Sequence, residues 1–118
     1  MMSMSITVPQ TQLRTAARTL TAFMEPVAMA GALAAAGLIE TVAKEMVLLA
    51  DTQATFGLHA NAVNLCRVET CLENLHAVAM VLAEDRFSGS TDTIDDVRTV
   101  LYSLHDELTD YDDELKAA

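Results

Sequence analysis

The chain has 118 residues and a net charge of −10, and 52% of its residues are hydrophobic but only 4% are aromatic. This length suits a single domain over residues 1–118. The acidic balance excludes the basic surface that direct nucleic-acid binding needs, and it disfavours contact with anionic membranes. Because the apolar residues are mainly Ala, Leu, Val and Met, an all-α fold is predicted in preference to a sheet.

The apolar surplus is large for a small monomer, so we expect part of it to form a contact between copies of the chain. Residues 1–8 lack a basic region followed by an apolar run, so no signal peptide is predicted and a cytosolic location is expected. Cys66 and Cys71 lie five positions apart, about 140° around a helix, which prevents a disulfide between them. Reduced thiols in the cytosol are the simplest interpretation, with Cys66 as a small core residue.

The first helix is expected to begin after Thr7, which can act as its N-cap. Its apolar residues then recur at alternating spacings of three and four, as one buried helical face requires. Arg14 and Arg18 lie one turn apart on the opposite face and form the only basic patch of the sequence. Pro26 removes a backbone donor and disfavours helical geometry at Glu25, so a break or sharp kink is predicted at this point.

The second helix is predicted over about residues 27–53. Its first part, Val27–Ile39, carries no charge, and a helix that is apolar all round is normally buried by its neighbours. The run is too short to span a bilayer, which needs roughly 20 apolar residues. Alanine and glycine recur along it at turn spacing, which favours close helix packing within the bundle or a dimer contact. Gly57 is the best candidate for the turn that follows.

The third helix is predicted over about residues 59–85 and contains one Glu-x-x-His sequence, Glu73 to His76. Ferritin-like metal bundles need two such motifs and two further glutamates, so a partly exposed His beside a surface Glu is the expected arrangement. His59 is too far along the same helix to share a metal with His76, whereas His105 could approach His76. No sequence motif typical of an enzyme is present, so neither catalysis nor a cofactor is predicted.

The fourth helix follows a Ser/Gly-rich loop at residues 87–92 and is predicted to begin after Thr93. Its apolar stripe is the most regular of the chain. Acidic residues cluster in this helix, where they form either a solvated face or a docking surface for a basic partner, with pairing to Arg14 and Arg18 as a weaker variant. The candidate interaction residues are Asp95, Asp96, Asp106, Asp110, Asp113 and Glu114.

These patterns together predict an antiparallel up-down helical bundle with three long helices and one shorter N-terminal helix. The leading functional hypothesis is a small acidic cytosolic module that binds other proteins as an adaptor, inhibitor, immunity or chaperone-like protein, and that self-associates. One alternative is a bundle that holds a small apolar ligand or a metal between its helices. Another is an acidic mimic of nucleic acid that inhibits a DNA- or RNA-binding protein.

Overall fold

A computed structural model describes residues 10–56 and 62–117, with side chains described for residues 10–53 and 63–109. Within these ranges the chain forms four α-helices and no strand, which confirms the all-α prediction. The helices are α1 (Gln10–Met29), α2 (Leu33–Phe56), α3 (Ala62–Glu84) and α4 (Asp92–Ala117). The predicted N-cap at Thr7, the turn at Gly57 and the side chain of His59 lie outside the described residues.

Each helix packs against the helix that follows it in the chain, and α4 also packs against α1. No close backbone contact joins α1 to α3 or α2 to α4 within the described residues. The four helices therefore surround one shared core, and the body is elongated, at 52 × 25 × 19 Å. None of the described helices is long and apolar enough to cross a membrane.

The core is built from one buried stripe on each helix, with apolar side chains recurring every three or four residues. Burying one such large apolar side chain contributes roughly 1.5–3 kcal/mol. The stripes predicted for α1, for the second half of α2 and for α4 as far as Leu108 are confirmed, and the side chains of Tyr111 and Leu115, predicted to continue the stripe of α4, lie outside the described residues. The largest fully buried side chains are Leu13, Leu20, Val27, Ile39, Met46, Leu49, Leu75, Leu82, Ile94, Leu101, Leu104 and Leu108.

The predicted break at Glu25–Pro26 is wrong, because α1 continues through Pro26 to Met29. Proline removes only one backbone donor, and Phe23 and Val27, both buried on the core face, hold the helix on either side of it. The chain turns instead two residues after the end of the helix, at Gly31, which has a φ of 88°.

The turn at Gly31 satisfies the last carbonyl groups of α1. The amide of Gly31 donates to the carbonyl of Ala28 (3.0 Å), and the amide of Ala32 donates to the carbonyl of Val27 (3.2 Å). This pair of hydrogen bonds is the Schellman motif, in which glycine supplies the left-handed backbone. The glycine, and not the proline, therefore separates α1 from α2.

The uncharged run from residue 27 to 39 is consequently divided between two helices, and it is only partly buried. Ala32, Ala35 and Ile39 are buried in the core. Met29 and Leu33, on either side of the turn, are 81% and 70% exposed. The expectation that neighbours bury this run on all sides is therefore wrong at the corner between α1 and α2.

The ends of α1 and α3 allow a matched test, because α3 ends in the same motif with Arg86 (φ 54°) at the left-handed position. An L-residue with a side chain pays about 1–2 kcal/mol there, whereas glycine does not. We expect Gly31→Ala to lower the free energy of unfolding by about 1 kcal/mol and Arg86→Gly to raise it by about 0.5–1 kcal/mol. Urea unfolding followed by circular dichroism measures the free energy of unfolding of both variants. A change of the same sign in both would contradict this explanation.

Candidate interaction surfaces

The solvent-facing side of α4 is acidic, as the sequence predicted. Asp95, Asp96 and Asp106 are all exposed, on the side opposite the buried stripe of the helix. Asp95 and Asp106 are eleven positions apart, about 16 Å along the axis. Asp110, Asp113 and Glu114 continue α4, but their side chains lie outside the described residues. We call these six positions the acidic face.

Basic groups compensate the acidic face only weakly. Asp95 has an ion pair with Arg98 at 3.7 Å, one turn along the same helix, and such exposed pairs contribute little. Among the described residues, no basic side chain lies within 4 Å of Asp96 or Asp106. The described carboxylates of the face, Asp95, Asp96 and Asp106, therefore present their negative charge to solvent.

The basic patch of α1 is directed towards α2. Arg14 Nη2 lies 2.7 Å from Asp51 Oδ1, and Arg14 Nε donates to the side chain of Gln10. Arg18 lines the groove between α1 and α2, beside Val47. The variant in which this patch neutralises the acidic face within one subunit is therefore wrong for Arg14, because Asp51 is the carboxylate within its reach.

The Glu-x-x-His sequence points outward. Glu73 and His76 are both exposed on α3, away from the buried stripe of that helix. His105 does not approach His76, because its Nε2 lies 3.4 Å from Glu69 Oε2, seven positions earlier in α3. The described residues contain no group of three or more His, Cys, Asp or Glu side chains placed to hold a metal. Glu73 and His76 are therefore both surface residues, as expected from the presence of only one Glu-x-x-His motif in the sequence.

A groove of about 230 Å³ lies between α2 and α3 and contains a cross-helix ion pair. Glu45 accepts a hydrogen bond from Arg67 Nε, and both side chains are partly buried. Cys66 and Cys71 line the same groove. Sequence reasoning did not identify this pair, although opposite charges on consecutive helices were the available signal.

The expectation that Cys66 is a core residue is wrong, since Cys66 is exposed and Cys71 is buried instead. Burial, followed by the nearby Glu45 carboxylate, raises the pKa of the Cys71 thiol to about 12. Cys71 therefore stays protonated and unreactive at neutral pH, because the thiolate is the nucleophile. Cys66 is the accessible thiol of the described residues.

Comparison with known proteins gave no match to a protein-family model, to a curated protein or to a solved structure.

Proposed function

We propose that this chain is a small cytosolic helical-bundle protein that acts by binding other proteins, without catalysis, and that it also associates with itself. Adaptor, inhibitor, immunity and chaperone-like roles all fit this mode of action. The observation that carries the proposal is the acidic face of α4, whose exposed carboxylates at Asp96 and Asp106 lack a basic neighbour within the described residues. A protein with a basic surface is the complementary partner.

We further propose that the four helices run alternately up and down. Three cross-helix contacts support this arrangement, because each joins a residue in the first half of one helix to a residue at the middle or the end of an adjacent helix. These contacts are Arg14 with Asp51, Arg67 with Glu45, and Glu69 with His105. Short connections between consecutive helices favour the same topology.

Electrostatic complementarity would act mainly on the rate and the specificity of partner binding. A one-sign surface steers an oppositely charged protein during diffusional encounter, and the effect weakens as salt rises. Partners of like charge are repelled by the same surface. The proposed binding is therefore salt-sensitive and selective for basic proteins.

The test reverses charge on the acidic face with Asp106→Lys, Asp110→Lys and Asp113→Lys. Lysine forms helices more readily than aspartate does, so the fold should be retained. Each reversal changes the charge by two, so the net charge goes from −10 to −4. We expect the triple variant to capture basic partners from native lysate at least tenfold less than the natural sequence does, a loss of about 1.4 kcal/mol.

The matched control is Glu25→Lys, Glu84→Lys and Asp85→Lys. It gives the same net charge, again at exposed positions near the C-terminal ends of helices, but outside α4. Equal loss of partners in both triple variants would show that partner binding depends only on the net charge. That result would refute a docking face on α4. If added duplex DNA displaces a captured partner, that partner binds DNA through the same surface, as the nucleic-acid-mimic alternative requires.

A further inference from the structure

The outer surface shared by α2 and α3 carries little net charge. Glu45 and Arg67 lie in the groove between these helices. Residues at helical spacing before and after the groove extend the same surface along the edge of α2 that faces α3 and the edge of α3 that faces α2. We call this surface the α2–α3 face. It consists of Ala34, Gly37, Leu38, Thr41, Glu45, Leu48, Val63, Cys66, Arg67, Thr70, Asn74, Ala77 and Val81.

The α2–α3 face carries one carboxylate and one guanidinium, and they are paired with each other. Two chains with a net charge of −10 repel each other over most of their surfaces. The repulsion is smallest where unpaired acidic groups are absent. The acidic face of α4 would repel a second copy of the chain, whereas the α2–α3 face would not.

The same face exposes apolar side chains close to the ion pair. Leu48 is 52% exposed and lies one turn after Glu45. Val63 is 68% exposed and lies one turn before Arg67. Covering these side chains removes apolar surface from water at roughly 25 cal/mol per Å², which favours association.

We propose that the α2–α3 face is the contact between two copies of this chain, related by a twofold axis that passes close to Glu45 and Arg67. Such an axis sets Arg67 of one subunit against Glu45 of the partner subunit, and the reverse contact follows by symmetry. In the dimer, the two carboxylates and two guanidinium groups then alternate in sign around the axis. This proposal rests on the self-association proposed above and specifies its surface.

The dimensions of the face agree with a weak but specific dimer. The face extends along residues 34–48 of α2 and 63–81 of α3, about 21 and 27 Å at the helical rise. Two adjacent helices are about 20 Å wide together, so the face offers about 500 Å² per subunit. The total of about 1,000 Å² lies at the lower limit for specific interfaces.

The experiment compares Thr41→Glu, within the face, with Thr99→Glu on α4. The two threonines are closely matched, since both are exposed and each hydroxyl donates to the carbonyl four residues earlier, in Gly37 and Asp95 respectively. Both variants also add the same charge. Near the axis, Thr41→Glu places two new carboxylates within the dimer contact. Sedimentation equilibrium from about 1 µM to 1 mM should give a dimer for the natural sequence and for Thr99→Glu, and at least 100-fold weaker association for Thr41→Glu.

Alkylation of Cys66 in the natural sequence provides a second measurement that needs no variant. Cys66 lies in the face, so its rate of reaction with a maleimide should fall as protein concentration passes through the dimerisation range. A monomer throughout this range would overturn both the self-association and the face. A dimer that Thr41→Glu leaves intact, or in which Cys66 reacts as fast as in the monomer, would overturn this face alone.

Discussion

Replacement of Leu49 by alanine is expected to lower the free energy of unfolding by about 3 kcal/mol, whereas the same replacement at Leu33 lowers it by less than about 0.5 kcal/mol. Both residues belong to α2 and lose the same atoms. Leu49 is fully buried, so its truncation leaves a cavity in addition to the lost transfer free energy. Leu33 is 70% exposed at the corner after Gly31, where truncation leaves no cavity.

Urea unfolding followed by circular dichroism measures both effects in one series. The slope of the free energy with urea should stay unchanged, so that a shift in the midpoint reports stability alone. A small domain has roughly 5–15 kcal/mol of stability, so a 3 kcal/mol loss is readily detected. If Leu33→Ala is as costly as Leu49→Ala, the corner is covered by other protein surface and the account of the exposed apolar run is wrong.

This contrast between Leu33 and Leu49 marks the limit of what helical periodicity predicts. Where apolar and polar residues alternate with a clear helical period, the buried side was assigned correctly, as in α1 and α4. Between residues 27 and 39 all side chains are apolar or small, so the pattern contains no information about which side faces the core. The position of the helix end then decides which residues are exposed.

The end of α1 was predicted at the wrong residue because the sequence contains two competing signals for a helix end, Pro26 and Gly31. Pro26 costs one hydrogen bond and a steric adjustment, whereas Gly31 allows a left-handed turn that satisfies two carbonyl groups. Burial of Phe23 and Val27 then favours continuation of the helix past the proline. Tertiary contacts with the core outweighed the local penalty, and such contacts cannot be read from one segment of sequence.

The candidate surfaces were predictable to different degrees. Acidic residues accumulate in one amphipathic helix, so the exposure of Asp95, Asp96 and Asp106 follows from the apolar stripe on the other side of α4. The orientation of α3 was harder to predict. Val68, Leu75 and Leu82 are buried as the sequence pattern predicts. The positions between them are shifted by one, so that Asn64, Cys71 and Val78 are buried in place of Leu65, Leu72 and Ala79, and Cys66 stays exposed. Apolar residues occupy several sides of α3, and only the packing against α2 and α4 selects among them.

The ion pair between Glu45 and Arg67 gives the second prediction with a large expected effect. Glu45→Arg leaves two positive groups on the α2–α3 face, and Arg67→Glu leaves two negative groups. Across a twofold axis each variant would meet its own charge in the partner subunit, so we expect each to form homodimers at least 100-fold more weakly than the natural sequence, or by about 2.7 kcal/mol. An equimolar mixture restores two opposite-charge contacts and should form a heterodimer.

Each variant also loses the contact between α2 and α3 within its own chain. Recovery of association in the mixture therefore distinguishes an effect on the dimer contact from an effect on the stability of the subunit. Misfolded subunits would not recover on mixing. Native mass spectrometry distinguishes the heterodimer from either homodimer when one variant carries heavy isotopes, and circular dichroism checks that both variants are folded. Strong homodimers of either variant, or a mixture of two folded variants that stays monomeric, would show that Glu45 and Arg67 do not meet across the axis. The two groups would then be a local pair that joins α2 to α3, and the centre of the dimer contact would lie elsewhere.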